Sequence, residues 1–337
     1  MSRPTPVHDA TGPTRPPTTP ARAQGSAHAK AILLGEHAAV YGAPALAVPL
    51  PALTCRAEVT ARHGGARGLV GLSCTADPQG VTAPVSPPPP GLVSLVAAVL
   101  RRPGAAWLHG VDVELSSTIP PARGLGASAA SARALTRALD RLLGARMSET
   151  EVFAHVQLAE RAAHGRPSGI DALATGSAAP VLLREGRTST PRVGTEAWLV
   201  VADSGTPGST HEAVAGLRLR FETGPLERER FLSASTTVVD RGLTALADGD
   251  LEELGRCLTE AHHLLSALGL STAGLDSLVT TALEHSALGA KLTGGGLGGC
   301  MIALSASRAA SARLAALLTR RGAHRAWTAR VEAGGPA

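Results

Sequence analysis

The sequence predicts a mixed protein of the α/β or α+β class that is large enough for two domains. Its 337 residues suit one large or two ordinary domains of roughly 100–200 residues each. Apolar residues make up 44% of the chain and charged residues 18%, which permits a sizeable core and excludes global disorder. Strand-like and helix-like patterns occur in both halves, and this mixture decides the class.

Strands are predicted where apolar residues alternate with polar ones or form short runs bounded by turn residues. The clearest alternation places Val111, Val113 and Leu115 on one face of a strand. The predicted strands cover residues 29–34, 53–62, 68–74, 107–117, 180–184 and 197–202.

Helices are predicted from apolar residues repeated every three or four positions and from start signals. Ser148 and Glu151 match the capping-box pattern S-x-x-E, so a helix should begin there. Apolar residues repeat at helical spacing from Leu251 to Leu268, with charged residues between them, and this pattern indicates a core-facing helix. The predicted helices cover residues 91–102, 127–143, 148–163 and 251–268, and the proline run 86–90 predicts a loop.

Changes in composition along the chain suggest where it divides into a tail and two domains. Residues 1–25 are rich in Pro and Thr, so we expect a disordered tail there. The polar stretch 184–196 is the candidate boundary between an N-terminal domain, 26–190, and a C-terminal domain, 191–337. We expect no signal peptide and no membrane association, because no apolar run reaches the roughly 18 residues of a membrane span.

Residue usage narrows the classes of partner. The four cysteines lie far apart without a C-x-x-C pair, so we expect a reducing cytoplasm and neither a disulfide framework nor a zinc site. Aromatic residues make up only 2%, and the net charge of +5 comes from dispersed arginines, so no nucleic-acid partner is expected. Only Lys30 and Lys291 among the 32 basic residues are lysine, which suggests positions that need a compact ammonium group.

Two segments carry polar residues beside predicted turns. In KAILLGEH, a strand from Lys30 delivers Glu36 and His37 into a turn, where charged residues usually face a cleft. In ERAAHGRPSGID, Glu160 and Asp171 flank a rigid loop, so one carboxylate could hold a metal and the other a substrate hydroxyl. The alternatives are a surface glutamate with a satisfied histidine, and a solvated glutamate with a turn-capping aspartate.

Two further segments are rich in glycine. In PPARGLGASAAS, the glycines let the backbone wrap an anion, and the following helix start favours phosphate; Ser128 could ligate a metal on that phosphate. The alternative is an ordinary tight turn. The segment KLTGGGLGGC, from Lys291 to Cys300, formally satisfies G-x-G-x-x-G. A dinucleotide fold is rejected because no acidic residue follows about 20 residues later, and a loop between two short strands is expected.

The four segments together, in this order, resemble the GHMP family of small-molecule kinases, and their wording is most similar to the mevalonate kinases within it. The segment DSGTPGST, ending at Thr210, adds to the likeness. The resemblance implies a two-domain α+β fold, with an N-terminal nucleotide-binding α/β domain and a C-terminal ferredoxin-like α+β domain. ATP and substrate would lie between the domains.

The resemblance also implies roles for individual residues. Asp171 would be the catalytic aspartate, with Lys30 beside it, and Ser128 and Glu160 would bind Mg²⁺. Glu36, His37 and Thr210, together with Lys30 and Asp171, would contact the substrate. The residues expected to bind the ATP phosphates are Pro121, Arg123, Gly124, Leu125, Gly126, Ala127, Ser128 and Ala129. No role follows for Lys291.

The implied reaction is ATP-dependent phosphorylation of the primary hydroxyl of mevalonate, with Mg²⁺ as cofactor; a homodimer is compatible with it. Three departures from the family pattern put some contacts in question: Ala29 stands where Gly is common, Ala127 removes one hydroxyl of the phosphate loop, and Ala172 replaces a frequent Asn. The alternatives are a phosphomevalonate or homoserine kinase, a diphosphomevalonate decarboxylase, and a non-catalytic ligand sensor on the same fold.

Overall fold

The structure, a computed structural model, describes residues 21–63, 67–76, 81–165 and 167–335. It contains two sheets, and the chain completes the first sheet before it enters the second. Helices accompany both sheets, so the predicted α+β class is confirmed. None of the described helices is both long and apolar enough to cross a membrane.

The first sheet has seven strands in the order β4-β3-β5-β2-β6-β7, with β1 also paired to β2. The strands are β1 Arg22–Leu34, β2 Ala45–Arg62, β3 Gly68–Ala76, β4 Val81–Pro84, β5 Gly110–Ser117, β6 Val181–Arg184 and β7 Arg187–Ser189. The helices are α1 Pro90–Leu100, α2 Ala127–Leu143, α3 Glu149–His164 and α4 Ile170–Ala174, with a 3-10 helix at Ala38–Tyr41. Helix α2 packs on β1 and β2, which brings its N-terminus near the end of β1.

The second sheet is antiparallel, in the order β11-β8-β10-β9. Its strands are β8 Ala197–Asp203, β9 Gly289–Thr293, β10 Cys300–Ser305 and β11 Arg325–Val331. Its helices are α5 Thr210–Thr223, α6 Pro225–Asp248, α7 Leu251–Ala267, α8 Ala273–Glu284 and α9 Arg308–Arg320. With α5 to α8 as its first crossover, this is the β-α-β-β-α-β order of a ferredoxin-like domain. The predicted glycine-rich loop joins β9 to β10.

The first strand is longer than predicted. It begins at Arg22, inside the expected tail 1–25. Buried and exposed residues alternate from Arg22 to Ala29, and the buried positions in this first part of the strand hold only alanine and glycine. At Gly25, a Cβ atom would lie 2.2 Å from the Ala134 carbonyl oxygen of α2. Such small residues carry little hydrophobic signal, so periodicity missed this part of the strand. Residues 1–20 lie outside the described residues.

Other boundaries follow local chemistry closely. Ser148 accepts a hydrogen bond from the Glu151 backbone N–H, and the Glu151 carboxylate accepts one from the Ser148 N–H at 2.8 Å, which confirms the capping box. Pro90, predicted as loop, instead starts α1, because proline fits the first turn of a helix. The short edge strands β4 and β7 escaped prediction. The proposed domain boundary at 190/191 lies in the segment between β7 and β8.

Candidate active site

A cleft of about 1260 Å³ brings together residues from both halves of the chain. All four segments singled out from the sequence contribute to it. The expected site residues that line it are Lys30, Glu36, His37, Arg123, Gly124, Gly126, Ala127, Ser128, Ala129, Glu160, Asp171 and Thr210. Two others do not: Pro121 is exposed, and Leu125 is buried with its carbonyl accepting a hydrogen bond from the Lys30 N–H at 3.1 Å.

Lys30 and Asp171 form an ion pair in this cleft, with 2.8 Å between Nζ and Oδ1. The lysine side chain is 2% exposed and the aspartate side chain 36%. Lys30 Nζ also donates to the Gly124 carbonyl at 3.0 Å, so the ammonium group joins the carboxylate to the glycine turn. The carbonyl of Asp171 accepts hydrogen bonds from the Thr175 hydroxyl and N–H, which close the last turn of α4.

The glycine turn before α2 forms an anion-binding surface. Gly124 and Gly126 have φ of 76° and 75°, a region that favours glycine. No side chain among the described residues caps the N-terminus of α2, so its first N–H groups stay available where Ala127, Ser128 and Ala129 line the cleft. The helix dipole adds positive potential at the same end. We call residues 122–126 the phosphate loop, because this arrangement suits a phosphate group.

The Arg123 side chain contacts two groups of the protein that lie beyond the glycine turn. Its Nε atom lies 2.7 Å from the buried Asp203 Oδ1, and its Nη2 donates to the Gly205 carbonyl at 3.1 Å. The Arg123 carbonyl accepts a hydrogen bond from the Cys300 N–H at 3.2 Å. Arg123 therefore fastens the phosphate loop to β8 and β10 of the second sheet. Arg123 also lines the cleft, so its expected part in phosphate binding stays a prediction.

Glu36 also has a partner that the sequence did not predict. Its Oε1 accepts a hydrogen bond from Lys291 Nζ, which also donates to the Leu292 carbonyl at 2.6 Å. Both side chains are buried. Burial raises the pKa of Glu36 and lowers that of Lys291, and the attraction between the two charges opposes both shifts. Glu36 also lines the cleft, so its expected substrate contact stays a prediction beside this ion pair.

His37 reaches across to the loop after β9. Its Nε2 atom lies 2.9 Å from the Gly295 carbonyl oxygen. Because a carbonyl only accepts, Nε2 carries the proton. Burial lowers the pKa of His37 to about 4, so the ring is neutral at physiological pH. His37 also has a φ of 61°, which is uncommon for a residue with a side chain.

Ser128 and Glu160 are suited to a hard cation. Both line the cleft, Ser128 exposed in the first turn of α2 and Glu160 buried in α3. Oxygen ligands suit Mg²⁺, which keeps water and phosphate oxygens in its coordination sphere. Among the described residues, no group of three or more His, Cys, Asp or Glu side chains could hold a metal. Mg²⁺ at these two residues would take water and phosphate oxygen atoms as its remaining ligands.

One wall of the cleft was missed by sequence reasoning. Helix α5 contributes apolar and basic side chains, and Phe221 packs edge-on against Tyr41 with ring centroids 5.5 Å apart. Arg218 and Arg228 lie near enough to lower the pKa of the Tyr41 hydroxyl, although burial raises it overall. The segment DSGTPGST pointed to Thr210 at the start of α5, but the rest of this helix carries no motif, so only the topology places it at the cleft.

Comparisons with known proteins agree with the geometry. Residues 92–178 match the family described as GHMP kinases N terminal domain, and residues 243–324 match GHMP kinases C terminal. The mevalonate kinase of Pyrococcus horikoshii is 35% identical over 300 residues, which cover 84% of this chain and 88% of that protein. The mevalonate kinase of Aeropyrum pernix is 34% identical over 292 residues, with the same coverage.

Solved structures give the same result. The crystal structure of L. major mevalonate kinase in complex with R-mevalonate superimposes with a TM-score of 0.78 at 26% identity, covering 96% of this chain and all of that one. The Streptococcus pneumoniae phosphomevalonate kinase reaches a TM-score of 0.73 at 18% identity, covering 91% of this chain and 99% of that one. The second likeness concerns the fold alone.

Proposed function

This chain belongs to the GHMP kinase family, and on that premise we propose that it transfers the γ-phosphoryl group of ATP to the primary hydroxyl of mevalonate, giving 5-phosphomevalonate. Relatives that match most of the chain bear the name mevalonate kinase, and the structural neighbour with the 0.78 TM-score was solved with R-mevalonate. The single observation that carries the proposal is the Lys30–Asp171 pair beside the phosphate loop.

The pair supplies the groups that such a transfer needs. Asp171 is the more exposed partner, so its carboxylate can accept a hydrogen bond from the substrate hydroxyl and then its proton. Lys30 has three N–H donors, of which Asp171 and Gly124 engage two. The third N–H would then be available to an oxygen of the phosphoryl group in transit. Because the transition state of phosphoryl transfer is loose, positioning and charge stabilisation provide most of the catalysis.

The N-terminus of α2 and the phosphate loop hold the β- and γ-phosphates of ATP through backbone N–H groups. Ser128 and Glu160 would hold Mg²⁺, and that ion would supply positive charge beside the phosphates. Ser128 and Glu160 both carry side-chain oxygen atoms and both line the same cleft, which supports this assignment.

The chain is proposed to act in the cytoplasm, where the free thiols of all four of its cysteines are stable. A homodimer stays a prediction.

The deciding experiment is an ADP-release assay with the purified chain over a panel of acceptors: mevalonate, phosphomevalonate, homoserine and galactose. We expect ADP release with mevalonate, and loss of it in Asp171→Ala. Faster turnover of another acceptor would transfer the proposal to that substrate. Release of CO₂ from diphosphomevalonate would instead indicate the decarboxylase, and binding of mevalonate without ADP release would indicate a ligand sensor.

A further inference from the structure

Lys291 lies in the middle of β9 with its side chain 0% exposed. A buried ammonium group is costly unless it is paired and hydrogen-bonded, and this one has both Glu36 and the Leu292 carbonyl as partners. An apolar residue would fill the same space at lower cost. The charge therefore requires an explanation beyond packing.

The Lys291–Glu36 pair links the two sheets. Glu36 follows β1 of the first sheet, and Lys291 belongs to the second. The next inward residue of β9 makes a parallel link, since the Thr293 hydroxyl accepts from the Ile32 N–H and donates to the Ile32 carbonyl, both at 3.0 Å. The His37–Gly295 hydrogen bond adds a third link. Together these contacts fix the end of β9 to the end of β1.

The loop after β9, residues 294–299, is in turn the support of the phosphate loop. A Cβ atom on Gly294 would lie 2.5 Å from the Gly124 Cα, and one on Gly299 would lie 2.9 Å from the Arg123 carbonyl oxygen. Because closely packed interiors transmit strain, the backbone of the loop 294–299 and that of the phosphate loop should move together. A displacement of β9 would therefore displace Gly124, whose carbonyl is a hydrogen-bond partner of Lys30.

We propose that Lys291 is a positioning residue for phosphoryl transfer: by holding Glu36, it fixes the loop 294–299 under the phosphate loop and so sets the phosphates against Asp171. Lys291 acts through Glu36 and the backbone of β9. The inference rests on the proposed kinase function, because its effect is read in turnover.

The test separates positioning from stability with paired variants. Lys291→Met alone and Glu36→Gln alone each leave one buried charge without its partner, so both should lower Tm. The double variant Lys291→Met/Glu36→Gln removes both charges and nearly keeps the volume, so it should recover Tm. The double variant Lys291→Arg/Glu36→Asp keeps an ion pair of similar total length. The matched control is Arg184→Met/Asp240→Asn, which removes an exposed ion pair between the same two domains.

We measure Tm, kcat, and KM for ATP and mevalonate. In the neutral double variant we expect kcat to fall about tenfold or more, because small misplacements of reacting groups are costly, with KM for ATP changed less than about threefold. The Arg/Asp variant should turn over faster than the neutral one at similar Tm, and the control should match the wild type. A neutral variant with recovered Tm and wild-type kcat would overturn the inference, as would an Arg/Asp variant no faster than the neutral one.

A failure of the inference about Lys291 can be distinguished from a failure of the proposed function. If the wild type ignores mevalonate but phosphorylates another acceptor of the panel, only the proposed substrate fails, and the same variants are compared with that acceptor. If the wild type releases no ADP with any acceptor, both proposals are overturned. If the wild type is active on mevalonate and only the Lys291 comparison fails, the proposed function stands.

Discussion

Lys30 Nζ and Asp171 Oδ1 lie 2.8 Å apart, yet the two side chains are exposed very differently, 2% against 36%. The cation is enclosed by protein while the carboxylate opens onto the cleft. The ammonium group of Lys30 therefore contacts the Asp171 carboxylate from the protein side, and the carboxylate can still contact a ligand in the cleft. A surface ion pair would leave both groups solvated and contribute little.

Replacing Asp171 with alanine removes the group that orients and deprotonates the acceptor hydroxyl. We expect kcat to fall about 10²- to 10⁴-fold, the usual contribution of a general base. Nucleotide affinity should change little, since the phosphate loop and α2 are untouched. Steady-state kinetics and titration with a non-hydrolysable ATP analogue test both parts. Near-normal turnover would refute the assignment of Asp171.

Replacing Lys30 with arginine keeps the charge but changes its shape. The lysine stem is enclosed, because a Cβ atom added at Gly126 would already lie 3.0 Å from Lys30 Cγ and 3.1 Å from Cε. A planar guanidinium cannot occupy that space without displacing the phosphate loop. We expect kcat to fall about 10²-fold, as for a misplacement of about 1 Å. A fully active Lys30→Arg enzyme would contradict this explanation of why the cation at position 30 is a lysine.

Glu160→Gln should weaken the binding of Mg²⁺ rather than the binding of the nucleotide. The substitution keeps the shape of the side chain and removes the negative charge that a hard cation prefers. We expect the Mg²⁺ concentration at half-maximal velocity to rise about tenfold or more. Glu149, an exposed carboxylate on the same helix that pairs with Arg133 and Arg137, supplies the control Glu149→Gln. An unchanged metal dependence would argue against Glu160 as a ligand.

Gly294→Ala tests the close approach of the two glycine loops. Gly294 has a φ of 83°, and its Cβ would meet the Gly124 backbone at 2.5 Å, so both strain and collision oppose the change. We expect a loss of about 1–3 kcal/mol in the free energy of unfolding, with reduced turnover. Gly216→Ala is the control, since it lies within α5 with nothing within 4 Å and should slightly stabilise the helix. Urea unfolding of both variants decides the comparison.

The buried, neutral His37 should make stability depend on pH. Its pKa falls from 6.5 to about 4 on folding, so between these values the unfolded chain binds the proton and the folded protein does not. Stability is therefore complete above pH 6.5 and is lost as the pH falls toward 4, by up to about 3 kcal/mol. Unfolding of wild type and His37→Gln at pH 7 and pH 4.5 measures this share. An equal acid loss in both proteins would exclude His37 as its source.

Local signals predicted the parts of the fold that depend on neighbouring residues. The capping box fixed the start of α3, and the glycine turn fixed the start of α2 at Ala127. The first half of β1 was not predictable, because its inward face is built from residues too small to register as hydrophobic. There the packing of Gly25 against α2, a tertiary contact, decides the structure.

In the candidate site, too, some contacts could be predicted from local sequence and others depend on tertiary structure. Lys30 and Asp171 came from motifs, and their contact at 2.8 Å agrees with the pairing that the resemblance implied. The partner of Glu36 could not be found, because Lys291 is 255 residues away and lies on another sheet. The rarity of lysine was the one available hint. The contact between the Arg123 side chain and the buried Asp203 could not be predicted either, because the sequence shows the loop but not the strand that lies beside it.

The burial of both lysines has a practical consequence. Among the 337 residues, these are the two lysine ammonium groups, and their side chains are 2% and 0% exposed. Acylating reagents that attack lysine should therefore leave both residues unmodified while the chain is folded, whereas unfolding would reveal two reactive amines. Mass spectrometry of acylated peptides could then follow the opening of each half of the molecule separately, with Lys30 reporting on the first sheet and Lys291 on the second.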